Sequence, residues 1–229
     1  MPEPALVIFD LGGTTICDTG LVPRALADAL HNSGFAVTPA QIEQARGASK
    51  SEAIRQIVET RLPPGDPQAV AAANAVYQDF IARIASDFKA GGVQPIPGAA
   101  QTFAWLRGRG IRIAFNTGFD RAITSLVLGA AGWDQGIAAA VVCGGDVAQG
   151  RPAPYMIFHA MEIAGVTDVA RVAAVGDTVL DLQAGANAGV RWNIGVLSGA
   201  HTRGQLEAVP HTVLLPSVAD LPSLWPETT

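Results

Sequence analysis

Five short apolar runs recur along the chain: Ala5–Phe9, Ile111–Phe115, Ala138–Val142, Arg171–Val175 and Trp192–Val196. A weaker sixth lies at Thr212–Leu215. Runs of this length, closed by turn-forming residues, read as strands buried on both faces. Helical patterns fill the gaps at Ala99–Gly108, Arg121–Ala131, Pro154–Ala164 and Leu180–Ala188. Strands alternating with single helices through short loops predict an α/β protein with a parallel sheet covered on both sides. One stretch breaks the alternation. Between Thr19 and Gly92 there is no convincing strand, only helical patterns at Leu21–Ser33, Pro39–Ala45, Ser51–Leu62 and Pro67–Ala90, with Pro63-Pro64-Gly65 as a break before the longest. The chain therefore divides into a core, residues 1–18 and 93–229, and an all-helical cap, residues 19–92, inserted after the first strand. Gly91-Gly92 and Pro95–Gly98 mark the return to the core.

Composition narrows the class. The 229 residues allow one domain carrying a smaller inserted one. With 49% hydrophobic and 15% charged residues, the chain can bury a sizeable core. A net charge of −5 and thinly spread Lys and Arg give no basic stripe, which argues against nucleic acid and acidic membrane surfaces as partners. No run approaches the roughly 18 apolar residues of a membrane span. Met1–Pro4 is acidic and leads straight into the first strand, which reads as the absence of a signal peptide. Cys17 and Cys143 form neither a disulfide framework nor a CxxC pair. A cytoplasmic protein is expected.

In such sheets ligands bind beyond the carboxyl ends of the strands. The first strand ends in Asp10-Leu-Gly-Gly-Thr-Thr15 and the second in Asn116-Thr117-Gly118. The third is followed by Gly144–Arg151-Pro152, and the fourth by Gly176-Asp177-Thr178 with Asp181 close behind. Each has an ordinary reading: Asp10 as a turn residue, Thr117 as a loop hydroxyl, Arg151-Pro152 as a helix start, Asp177-Thr178 as a helix cap, and Asp181 as an acid in a positive first turn. Jointly they say more. Converging carboxylates call for a cation, and oxygen-only ligands favour Mg²⁺. Thr117, the Gly118 amide and Arg151 are donors suited to a phosphoryl group. Asp10, before a glycine turn, is the best-placed nucleophile for an aspartyl-phosphate.

These motifs resemble the haloacid dehalogenase superfamily over essentially the full length, and most nearly its phosphonatase-like members. The resemblance implies a Rossmann-like core with a C1-type helical cap. Three positions point toward the phosphonatase branch. Gly12 stands where phosphatases of the superfamily carry a general-acid aspartate, Arg151 replaces the usual motif-three lysine, and Lys50 lies in the cap segment Arg46-Gly-Ala-Ser-Lys-Ser-Glu52 at the position of the imine-forming lysine. The chemistry is coherent. An acid rescues a departing alkoxide, whereas a P–C bond leaves a carbanion that a Lys50 Schiff base converts into an enamine. The resemblance implies Asp10 as nucleophile, Asp10, the Gly12 carbonyl and Asp177 as Mg²⁺ ligands supported by Asp181, and Thr117, Gly118 and Arg151 on the phosphoryl oxygens. It also implies a homodimer, for which the apolar 67–90 helix is a candidate interface.

Other positions depart from phosphonatase. The family histidine three residues after the lysine is Ala53, the methionine four before it is Arg46, the motif-two tyrosine is Phe119, and a cysteine ten past the nucleophile is Gly20, with Cys17 nearby. Arg46 is a candidate substrate contact that reads an extra polar or anionic group. His201, after the fifth strand, could face the site; Trp133 and Tyr155 read as packing residues. The expected activity is Mg²⁺-dependent P–C hydrolysis of a 2-oxoalkylphosphonate such as phosphonoacetaldehyde, a step in phosphonate catabolism. The competing readings are a phosphatase of a phosphoglycolate-like monoester, with Lys50 a surface charge, and a phosphate-binding relative without turnover.

Overall fold

The computed structural model describes residues 3–63 and 65–226. Met1-Pro2 of the proposed leaderless start and Pro64 of the helix break lie outside the described residues. Six parallel strands, β1 (Leu6–Phe9), β2 (Arg112–Thr117), β3 (Ala140–Cys143), β4 (Val172–Gly176), β5 (Trp192–Val196) and β6 (Val213–Leu215), form one sheet in the order β3-β2-β1-β4-β5-β6. The chain runs outward from β1 to β2 and β3, then crosses back to β4 on the other side. That reversal places the crevice beside β1. Register does the rest: Phe9 pairs with Phe115 and with Val175, so Asp10, Asn116-Thr117 and Asp177 emerge side by side.

Alternate strand residues face opposite layers. Leu6, Ile8, Ala114, Val142 and Ala174 pack under helices α7 (Tyr155–Ala164) and α8 (Val179–Ala188). On the other face, Phe103 of α5 (Ala99–Gly108) packs edge-on against Phe9, Phe115 and Trp133, with ring centroids 5.2, 5.6 and 4.9 Å away. Truncating a ring buried this fully costs about 3–5 kcal/mol. Trp133 is a packing residue as expected, but Tyr155 is not: α7 turns Met156, Ile157, Ala160 and Met161 to the sheet, which leaves Tyr155 46% exposed.

The named elements between β1 and α5 are all helices: α1 (Leu21–Asn32), α2 (Pro39–Gln44), α3 (Lys50–Glu59) and α4 (Gln68–Gly91). α2 starts where Thr38 and Gln41 cap each other, the Thr38 hydroxyl accepting from the Gln41 amide and Gln41 Oε1 from the Thr38 amide, with Pro39 in the first turn. Leu26, Leu30, Ile54, Val58, Val76 and Phe80 bury their apolar faces in a cluster continuous with one face of the sheet. α6 (Arg121–Ala131) follows β2 and is capped by Asp120, which accepts from the Ile123 amide at 2.7 Å. The short α9 (Arg203–Glu207) and a 3₁₀ turn at Val218–Leu224 are additions to the sequence reading. Among the described residues, no helix is long and apolar enough to cross a membrane.

Candidate active site

The strand tips form one wall of a cleft with about 90 Å³ of internal space. Asp10, Gly12, Thr117, Gly118, Arg151 and Asp177 line it from the sheet, and Arg46 and Lys50 from the helical segment. Every candidate site residue except Asp181 therefore borders one space. Asp181 stands behind, with a double task. Its Oδ2 accepts from the Thr178 amide and hydroxyl to cap α8, while its Oδ1 lies 2.9 Å from Nη1 of Arg151.

Arg151 is the hub. Its side chain is 1% exposed; Nη1 lies 2.9 Å from Asp10 Oδ1 and donates to the Gly47 carbonyl at 3.3 Å. Nη2 donates to both the backbone carbonyl and the side-chain Oδ1 of Asn116, at 2.9 and 2.7 Å. A lysine ammonium is one point donor and could not span these partners, whereas a planar guanidinium does. Nε of Arg151 is buried without a partner. Asn116 was not singled out from sequence, although a polar residue at the buried end of an apolar strand is itself a signal. Thr14 is a second unpredicted participant: its hydroxyl donates to Asp177 Oδ1 at 2.9 Å, and the Ala200 amide donates to Oδ2 at 2.7 Å.

Lys50 opens α3 and is 7% exposed. Its Nζ donates to the carbonyls of Ala45 and Ala48, each at 2.9 Å. The loop carrying those carbonyls lies tightly on the core. Gly47 has φ +73°, and a Cβ there would meet the Thr178 hydroxyl at 2.5 Å; a Cβ on Gly118 would meet the Ala48 carbonyl oxygen at 2.5 Å. Both glycines are required by this close approach. Arg46 borders the cleft with its guanidinium already taken: it pairs with Asp18 and, at 2.8 Å, with Glu43. His201 does not line the cleft. Its Nδ1 accepts from the Val179 amide at 3.0 Å, and burial lowers its pKa, so it supports the first turn of α8.

Burial dominates the electrostatics. It pushes the Asp10 carboxyl up to about 7, against the pull of Arg151 and with a further push from Asp181. Burial also carries Asp177 well above the usual carboxylate range, with the charges of Asp10 and Asp181 adding to it and the Ala200 and Thr14 hydrogen bonds opposing. Burial lowers Lys50 to about 8; Asp10 opposes this, and Arg151 and Arg46 assist. Two desolvated carboxylates that repel each other fit a divalent cation, and an all-oxygen donor set suits Mg²⁺. Among the described residues no group of three or more His, Cys, Asp or Glu converges as a chelate. An ion here would thus rest on two carboxylates, a backbone carbonyl and water, the sparse protein ligation typical of Mg²⁺.

The chain matches the family model described as haloacid dehalogenase-like hydrolase over residues 4–189. It is 32% identical to the phosphonoacetaldehyde hydrolase of Paraburkholderia xenovorans over 223 residues, covering 90% of this chain and 80% of that protein. A phosphonoacetaldehyde hydrolase from Bacillus cereus is 31% identical over 217 residues, covering 88% and 78%. The crystal structure of a phosphonoacetaldehyde hydrolase-like protein from Oleispira antarctica superposes with a TM-score of 0.82 at 24% identity, over 97% of this chain and 91% of its own, a likeness that speaks to the fold alone.

Proposed function

Because this chain belongs to the haloacid dehalogenase-like hydrolase family, we propose that it hydrolyses the P–C bond of a 2-oxoalkylphosphonate such as phosphonoacetaldehyde, with residues 19–92 serving as a cap over the core. One observation carries this reading: a buried lysine with its pKa lowered to about 8 borders the same cleft as a buried strand-tip aspartate. An amine of that pKa is about one-tenth neutral at pH 7, against a few parts in ten thousand for an ordinary lysine. Both hydrogens of the neutral Lys50 amine have an acceptor, in the Ala45 and Ala48 carbonyls. Its lone pair is then the remaining free direction, open to attack on a carbonyl.

Lys50 condenses with the substrate carbonyl, releasing water and forming an iminium. Asp10 attacks phosphorus; the P–C bonding pair moves onto carbon, where the iminium accepts it as a neutral enamine. The enamine carbon takes up a proton, and water hydrolyses both the imine and the aspartyl-phosphate, returning Lys50 and Asp10. The net reaction consumes one water and yields phosphate and the carbonyl product. Arg151, Thr117 and the Gly118 amide hold the phosphoryl oxygens. Asp10, the Gly12 carbonyl and Asp177 would hold Mg²⁺, which when bound neutralises charge at the transferring phosphoryl group. Asp181 supports this set through Arg151.

The test is phosphate release from phosphonoacetaldehyde with Mg²⁺, run beside Lys50→Arg, Asp10→Ala and a panel of phosphate monoesters. Loss of turnover in both variants, with borohydride trapping an adduct at Lys50, is the expected result. Monoester turnover that survives Lys50→Arg would instead identify a phosphatase working without its usual acid.

A further inference from the structure

The cleft has two chemically different halves. Its floor comes from the strand tips and carries Asp10, Thr117, Arg151 and Asp177. Its far wall comes from the helical segment and is mostly apolar: Leu21, Val22 and Leu26 of α1, Ile42 of α2 and Phe88 near the end of α4, with the paired Asp18 and Arg46 at its polar side. Lys50 stands among these helices, at the start of α3, and is held by the loop between α2 and α3 that touches the floor. A substrate with its phosphoryl group on the floor and its carbonyl carbon at Lys50 directs whatever else that carbon bears toward the apolar wall.

The second cation on that side, Arg46, does not change this. Arg46 is paired with both Asp18 and Glu43, so the trio carries a net charge of −1. Unlike Arg151, whose partner Asp10 would share a divalent cation, Arg46 stands between two carboxylates with no ion to share, so it gives little attraction to a third and the uncompensated charge repels an anion. Of the polar or anionic substituent expected at Arg46, the anionic kind is therefore disfavoured by where its partners lie.

We propose that the preferred substrate is a 2-oxoalkylphosphonate ketone whose carbonyl carbon carries a short apolar group, and that α1, α2 and Phe88 select it. This rests on the P–C hydrolysis reading above. The atom balance is unchanged: R–CO–CH₂–PO₃²⁻ and water give the methyl ketone R–CO–CH₃ and hydrogen phosphate. The cleft's internal space of about 90 Å³ must also receive the phosphoryl end, which keeps R short.

The experiment measures kcat/KM by phosphate release for phosphonoacetaldehyde, for 2-oxopropyl-, 2-oxobutyl- and 2-oxopentylphosphonate, and for the carboxylated 4-carboxy-2-oxobutylphosphonate, whose carboxyl is too far from the ketone to be lost as CO₂. One methylene in a hydrophobic pocket is worth about tenfold or more. The ketones should thus rise above phosphonoacetaldehyde by about that factor before the space is filled, with the carboxylated compound at the bottom. Val22→Phe should move the optimum to a shorter group. Asp18→Asn combined with Glu43→Gln frees Arg46 and should raise the carboxylated compound at least tenfold relative to the apolar ketones. If phosphonoacetaldehyde is turned over and each added carbon lowers kcat/KM, the selection is wrong while P–C hydrolysis stands. If no phosphonate is cleaved but monoesters are, both fall together.

Discussion

Lys50 and Arg151 are held by backbone carbonyls of a single loop: Nζ donates to Ala45 and Ala48, and Nη1 of Arg151 to Gly47. The position of that loop therefore sets two cations at once. Gly47 is its pivot, with φ +73° and no room for a Cβ against Thr178. Gly47→Ala should lift the loop from the core and lower kcat/KM about 100-fold, the cost of an ångström-scale misplacement. Thermal unfolding should move only a few degrees, because no apolar burial is lost. Phosphate release and a melting curve on the same preparation decide it, and an unchanged kcat/KM would mean the loop does not position either cation.

A pH dependence follows from the two shifted groups. In the proposed mechanism Asp10 attacks as the carboxylate and Lys50 forms the imine as the neutral amine, with pKa values of about 7 and about 8. Raising the pH removes a proton from each, so log kcat/KM for a 2-oxoalkylphosphonate should climb through pH 6 to 8 and level off above. Bound cation favours the carboxylate and moves the Asp10 step to lower pH, leaving the Lys50 step near 8. A rate profile in saturating Mg²⁺ that is flat from pH 6 to 9 would rule out Lys50 as the titrating amine.

The core and its strand-tip residues were legible because they rest on local rules. A strand five residues long announces itself, parallel register brings neighbouring tips together, and Asp10, Thr117 and Asp177 needed nothing more. What stayed hidden depends on contacts across the chain. Thr14 reaches Asp177 over 163 residues, and Asn116 receives Arg151 over 35; no spacing encodes either pair. Arg46 stood out as a departure, but its neutralisation by Asp18, 28 residues away, did not. Helix α9 is five residues long, too short for periodicity, and its one signal was the Thr202–Gln205 capping pair.

Divalent metal should stabilise the fold in a pH-dependent way. Protonated carboxyls do not ligate, and burial raises both Asp10 and Asp177. Below pH 6 a metal must displace protons, whereas near pH 8 it meets an ionised Asp10, so binding strengthens as pH rises. At 100 times its dissociation constant Mg²⁺ contributes about 2.7 kcal/mol, or roughly 5–10 °C in Tm for a chain of this size. The expected result is a shift of that order at pH 8, much less at pH 5.5, and none in Asp177→Asn. EDTA should reverse it. Equal shifts at both pH values would place the metal elsewhere.

On the proposed reading, Gly12 stands where a phosphatase would carry its general acid, and space does not dictate the glycine. A Cβ there would meet only the ring of Phe119, at 3.6 and 3.9 Å, which is ordinary contact. Gly12→Asp should therefore fold without steric conflict, its Tm falling by a few degrees because the new carboxylate adds to the repulsion around Asp10 and Asp177. The new carboxyl lies two residues past Asp10, where it can protonate a departing alkoxide, a contribution of about 10²–10⁴ in rate. Hydrolysis of phosphate monoesters should rise by at least the lower figure. Phosphonate cleavage should fall, since an added carboxylate near the Lys50 amine favours its ammonium form and so removes the nucleophile needed for the imine. Assays of both substrate classes on one variant measure the two effects in opposite directions. Monoester hydrolysis that stays at the parent level would show that the acid at this position is not what the site lacks.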